Sequence, residues 1–145
     1  MRRIQRDICH DEMLKQLTGG DSPLFKEIWR VMLFASALGV FYGQRRPIEK
    51  SDSGKAIPDT YFSSPGWKGF LYLVGVAETG DSKCLRGTED NQEYLVGAFE
   101  EYANEGLHRL ANRLGNGPAP LDDLMELLLE TLAPKSSKPD VADLI

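Results

Sequence analysis

Apolar positions recur along this chain with a helical spacing, and the pattern predicts five helices. Ile4, Ile8, Leu14 and Leu17 share one face until Gly19-Gly20 interrupts it, so the first element reads as a short amphipathic helix. Ser22-Pro23 then forms a start signal, with a side-chain oxygen for an orphan N–H and a proline where no hydrogen bond is lost. The helix it opens runs to about Tyr42. Its apolar residues, Phe25, Ile28, Trp29, Val31 to Phe34, Leu38 and Val40 to Tyr42, cover the whole circumference. That predicts burial on nearly all sides, as the central helix of a domain or as an interface between copies.

Ser64-Pro65 repeats the start signal, and Trp67, Phe70, Leu71, Val74 and Ala77 mark a third helix ending near Thr79-Gly80. Thr88, Glu89 and Asp90 open a fourth, their acidic charge suited to the positive end of the helix dipole. Leu95, Phe99, Tyr102, Gly106, Leu107, Leu110 and Leu114 hold its apolar face until Gly115 supplies a stop. A glycine inside that face costs about 1 kcal/mol against alanine, so Gly106 predicts the close approach of another helix. Leu121 to Leu132 forms the fifth, with Leu124, Leu127, Leu128, Leu129 and Leu132 apolar and Asp122, Asp123, Glu126 and Glu130 opposite.

No segment alternates with period two, which predicts an all-α fold: a single compact domain over residues 1–133 and a loose tail over 134–145. The tail's "VADLI" ending could dock on a partner. The connection from Gln44 to about Phe62, between the second and third helices, is long for such a domain, and loops of that length are usually functional or unstructured.

Composition narrows the class. With 145 residues, 41% of them hydrophobic and 27% charged, the chain is that of an ordinary globular protein. Its longest apolar run, Val31 to Tyr42, is too short for a bilayer, and Gln5, Arg6 and Asp7 stand where a signal peptide would be apolar. A cytoplasmic protein with no membrane attachment is expected. The net charge of −5 conceals an asymmetry: ten Lys/Arg against seven Asp/Glu over Met1 to Pro58, seven against fifteen over Asp59 to Ile145. The halves therefore carry +3 and −8. Any contact with a phosphate backbone should use the front half, and the candidate nucleic-acid-binding residues are Arg2, Arg3, Arg6, Arg45, Arg46, Lys50 and Lys55. The alternative is a loop packed down by Ile48, Ile57, Tyr61 and Phe62 with its charges turned to water.

Tests for catalysis return little. Gly54-Lys55 resembles the end of a phosphate-binding loop, but Glu49 replaces the first glycine and Ala56 the Ser/Thr. Cys9 and Cys84 belong to no metal-binding spacing and read as buried or half-buried thiols. Cys9-His10 neighbours point in different directions on a helix and cannot chelate one ion. His108 reads as a boundary residue of the fourth helix, and Glu100-Glu101 and Asp122-Asp123 diverge around theirs. The expectation is a non-enzymatic protein without cofactor or metal.

Three stretches, "FKEIWRVMLFASALGV", "RRPIEKSDSGKAIPDTYFS" and "LYLVGVAETGDSKCL", in that order and spacing, resemble the small phosphorothioation-associated protein 4 family of bacterial Dnd systems, which sulfur-modify the DNA backbone and restrict unmodified DNA. The likeness spans most of Arg2 to Leu114. More remotely, an apolar helix, a Gly-rich turn, a Trp-led helix and "EGLHRL" are similar to DndE, a tetrameric helical protein that binds DNA through basic residues, although no DndE lysine matches a position here. The resemblance implies an all-α, oligomeric accessory component of anti-phage defence. Its implied partners are DNA, touched through the basic segment, or other Dnd proteins for which it would act as adaptor.

Overall fold

A computed structural model describes residues 2–62, 67–114 and 120–133. Among these, five α-helices form one all-α domain: α1 (Asp11–Thr18), α2 (Ile28–Tyr42), α3 (Trp67–Thr79), α4 (Glu89–Leu114) and α5 (Pro120–Leu132). The Ser64-Pro65 start, the Gly115 stop and the tail over 134–145 lie outside the described residues.

The core is the crossing of α2 over α4, with α1, α3 and α5 packed around it. α2 is the central helix of the two alternatives the sequence left open. Val31, Met32, Leu33, Ala35 and Leu38 are buried against Phe99, Ala103, Leu107 and Leu110, although Phe41 turns outward at 42% exposure. Two glycines set the distance. A Cβ on Gly106 would lie 1.8 Å from the carbonyl oxygen of Ala35, and one on Gly39 would lie 2.2 Å from that of Tyr102. Backbone thus meets backbone at two points one helical turn apart on each helix, and the predicted close approach at Gly106 is real.

Local chemistry explains most boundaries. Gly43 takes a left-handed conformation (φ 65°) after α2, its N–H donating to Val40, while Gln44 N–H donates to Gly39. Thr88 caps α4 by accepting from the N–H of Asn91 at 3.2 Å. Gly80 (φ 67°) ends α3.

Two expectations fail at the front of the chain. Ile4 is not on the first helix: it is fully buried in an isolated bridge to Ile57, while Asp7 pairs with Ser51. The chain tightens into one 3-10 turn at Ile8–His10 before α1 begins. Ser22-Pro23 does not start α2 either. Phe25 N–H donates to the Leu17 carbonyl at 3.1 Å and its ring packs 5.8 Å from that of Phe34. Residues 22–27 therefore fold back over α1, and helix forms only after Glu27, whose backbone is extended. Tertiary packing of an aromatic side chain overrides the local start signal.

Candidate functional site

The connection over 44–62 is irregular, with short 3-10 turns at Ser53–Lys55 and Asp59–Phe62, but it is fastened along its length. Bridges at Ile57 and Ser51 tie it to the N-terminal segment, and Ile8 N–H donates to the Lys50 carbonyl. Ile57 is buried, Ile48 is partly buried, and Tyr61 stacks near Trp29 with ring centroids 6.5 Å apart. The side chain of Phe62 falls outside the described residues.

Buried polar groups make the fastening specific. Asp7 is 5% exposed, and its carboxylate accepts from the N–H groups of Cys9 (3.1 Å) and Glu49 (2.9 Å). Burial pushes this carboxyl up, but the backbone donors outweigh it and hold Asp7 below the usual range. Asn104 of α4 donates through its amide nitrogen to the carbonyls of Arg46 and Pro47. Its oxygen is therefore the acceptor for His10 Nε2, 3.1 Å away, which fixes the ring proton on that nitrogen. Burial lowers the pKa of His10 despite that bond.

The front-half cations meet acidic residues of the same chain. Arg2 forks onto Glu100 through two hydrogen bonds of 2.8 and 2.7 Å and adds Glu93 through Nε at 2.7 Å. Glu100 is buried and also accepts from Gln5 N–H, so its bidentate hold on Arg2 raises the pKa of that guanidinium. Arg45 reaches Glu78 at 2.7 Å and Glu101 at 3.2 Å, and lies over the Tyr102 ring. Desolvation lowers the Arg45 pKa, but the two carboxylates more than restore it. The Tyr102 hydroxyl donates to Glu78; this bond, with Arg45, holds Glu78 below its usual range, while burial and Glu78 push Tyr102 up to about 12. Arg46 pairs with Glu105 at 3.2 Å. Arg6 and Lys55 share the carboxylate of Asp11.

Of the seven candidate nucleic-acid-binding residues, the structure brings Arg2, Arg6, Arg45, Arg46 and Lys55 into such pairs. Arg3 and Lys50 are exposed. The alternative of a packed-down loop holds in part: Ile57 and Ile48 pack inward and Lys50 is exposed, while Arg45 turns to Glu78 and Glu101, and Arg46 and Lys55, each about half-exposed, pair with Glu105 and Asp11. Sequence reasoning missed the acceptors: Glu93, Glu100, Glu101 and Glu105 on α4, Glu78 on α3 and Asp11 on α1. The available signal was the opposite sign of the two halves, which is a complementarity within the fold.

Cys84 is buried as expected, whereas Cys9 is exposed at the rim of a cavity of about 240 Å³ lined also by Asp7, His10, Arg46, Asn104 and His108. Partial desolvation and the neighbouring Asp7 carboxylate push the Cys9 thiol up to about 11, so it stays protonated at neutral pH and is a poor nucleophile. Among the described residues no group of His, Cys, Asp and Glu converges to hold a metal ion, and no helix is long and apolar enough to cross a membrane.

A charged seam that closes on itself, carried by residues spread over most of the chain, invites comparison with known proteins. The family model for DNA sulphur modification system-associated protein 4 matches residues 3–145. The chain belongs to that family. No curated protein and no solved structure matches it. Membership makes it an accessory protein of a DNA sulphur modification system.

Proposed function

We propose that this family member is a non-catalytic protein–protein adaptor of the DNA sulphur modification machinery. The observation that carries this reading is the internal pairing of Arg2, Arg6, Arg45, Arg46 and Lys55. A DNA backbone would have to displace carboxylates already at hydrogen-bond distance, two of which are buried: Glu100 would keep only the Gln5 N–H and Glu105 only the longer contact to Arg109. The net charge of −5 adds a long-range repulsion of phosphate. With its cations so engaged, the front half serves as scaffold, and recruitment of other proteins of the system is the remaining role. The test is gel filtration of the purified chain mixed singly with each modification and restriction protein of its own system. A stable complex with one of them is expected; passage of every mixture as separate components would reject the adaptor.

A second reading is favoured by Arg3 and Lys50, which are exposed and, among the described residues, outside the ion pairs. They could make sequence-independent backbone contacts to DNA delivered by a partner. Two contacts give a shallow salt dependence, since affinity scales with the number of phosphates neutralised.

A further inference from the structure

Several exposed apolar side chains fall in one row on α5. Leu121, Met125, Leu129 and Leu132 are 56%, 49%, 61% and 80% exposed. Their spacing of four, four and three residues places them in one row, about 16 Å long at 1.5 Å per residue. The helix is already seated by another face, where Leu124 and Leu127 are buried in the core and Leu128 is packed against it. It is therefore apolar on two faces, one of which none of the described residues buries. Four large aliphatic side chains in a continuous exposed row are the mark of an interaction surface.

The charges beside the row say what it accepts. Asp122 and Glu126 are exposed along one margin, and between Pro120 and Leu132 there is no Lys, Arg or His. Glu130 is engaged by Arg113 of α4, which leaves Asp122 and Glu126 for a visitor. Two copies of α5 packed antiparallel about a two-fold axis would set this margin against itself, acid against acid. The same margin repels nucleic acid and anionic lipid. A helix with an apolar stripe and Lys or Arg beside it satisfies both the row and its edge.

We propose that the Leu121–Leu132 row of α5 is a docking surface for a basic amphipathic helix of a partner protein. The proposal rests on the adaptor reading and specifies its partner's chemistry. The probe is a labelled 21-residue amphipathic peptide with leucines on one stripe and lysines on both margins; its control carries glutamates in place of the lysines. Fluorescence anisotropy with the full chain should give saturable binding of the lysine peptide, about tenfold or more tighter than the glutamate peptide. Leu129→Glu and Met125→Glu should each weaken it by about tenfold or more, as for central anchors of an interface. Asp122→Lys with Glu126→Lys should reverse the preference between the peptides. These positions are exposed, so an unchanged thermal midpoint by circular dichroism distinguishes lost binding from lost fold.

Equal binding of the two peptides, or wild-type binding by Leu129→Glu at full stability, would overturn the proposal. Two other occupants have their own signatures, and either overturns it. A wild-type dimer by light scattering that Leu129→Glu converts to monomer would assign the row to a second copy. Lysine-peptide binding seen only after deletion of residues 134–145 would assign it to the chain's own end. The adaptor reading fails separately: a complex with a modification protein that survives Leu129→Glu keeps the adaptor and removes this surface. Peptide selectivity without any such complex keeps the surface and removes the adaptor.

Discussion

The seam along α4 and the outer row of α5 contrast in what their side chains meet. Along α4, cations that in sequence suggest a nucleic-acid footprint are spent on Glu93, Glu100, Glu101 and Glu105 of the same chain. On α5, leucines that in sequence suggest a core lie in water. The difference comes from what each region has opposite it. α4 is covered by the N-terminal segment and the connection after α2, so its carboxylates need compensation at burial; α5 sits on one side of the bundle and has one face to spare.

α4 carries both regions, so disturbing its crossing with α2 should have the largest effect. Gly106→Ala sets a methyl against the Ala35 carbonyl, backbone against backbone, and neither side can rotate away. We expect a loss of about 3 kcal/mol or more in urea unfolding, at the upper end of overpacking costs. Gly75→Ala, whose Cβ would press on side-chain atoms, Leu95 Cδ2 at 2.0 Å and Cys84 Sγ at 3.4 Å, and not on backbone, should cost less. Next in size is Arg2→Ala, which strands buried Glu100 with the Gln5 N–H alone and should cost about 2 kcal/mol. Arg3→Ala, one residue away and unpaired, should leave the unfolding midpoint unchanged.

Acid should sharpen the same contrast. Asp7, Asp11 and Glu78 are held below their ordinary values of 3.8, 3.8 and 4.5. For Asp7 burial opposes the shift and backbone donors win, for Asp11 burial opposes and Lys55 and Arg6 win, and for Glu78 the Tyr102 hydroxyl leads. A depressed carboxyl contributes stability that is whole above its unfolded value and lost as pH falls through its folded one. His10, depressed by burial from 6.5, is likewise most stable neutral. Its unfolded form takes up a proton first, so stability should decline as pH falls below about 6.5, ahead of the carboxylates. His10→Gln should abolish that early decline while leaving the drop below about pH 4.5. Leu129→Glu, like Arg3→Ala, should change stability by no more than about 0.5 kcal/mol, as for an ordinary surface position.

Periodicity made α3, α4 and α5 legible, and Gly106 announced the helix crossing because a glycine in an apolar face has few other uses. Gly39, its counterpart, passed unnoticed inside a run that was apolar everywhere. The start of α2 was misplaced because Ser22-Pro23 obeys local rules while Phe25 obeys packing against α1. The ion pairs were illegible for a different reason: Arg2 and Glu100 are 98 residues apart, Arg46 and Glu105 are 59, and no local pattern links them. Only the opposite signs of the two halves hinted at it. The leucines of α5 were all visible, but which of them the bundle would leave uncovered depends on where α5 lands on α4.

The central claim is that the front-half cations are scaffold. It is tested most directly by fluorescence anisotropy of labelled duplex DNA, sulfur-modified and unmodified, across a salt series from low ionic strength upward. The account predicts weak or no binding, with at most a shallow salt slope that Arg45→Ala and Arg46→Ala leave unaltered. Tight binding that falls steeply with salt, and that those two substitutions abolish in a protein still fully folded, would contradict it.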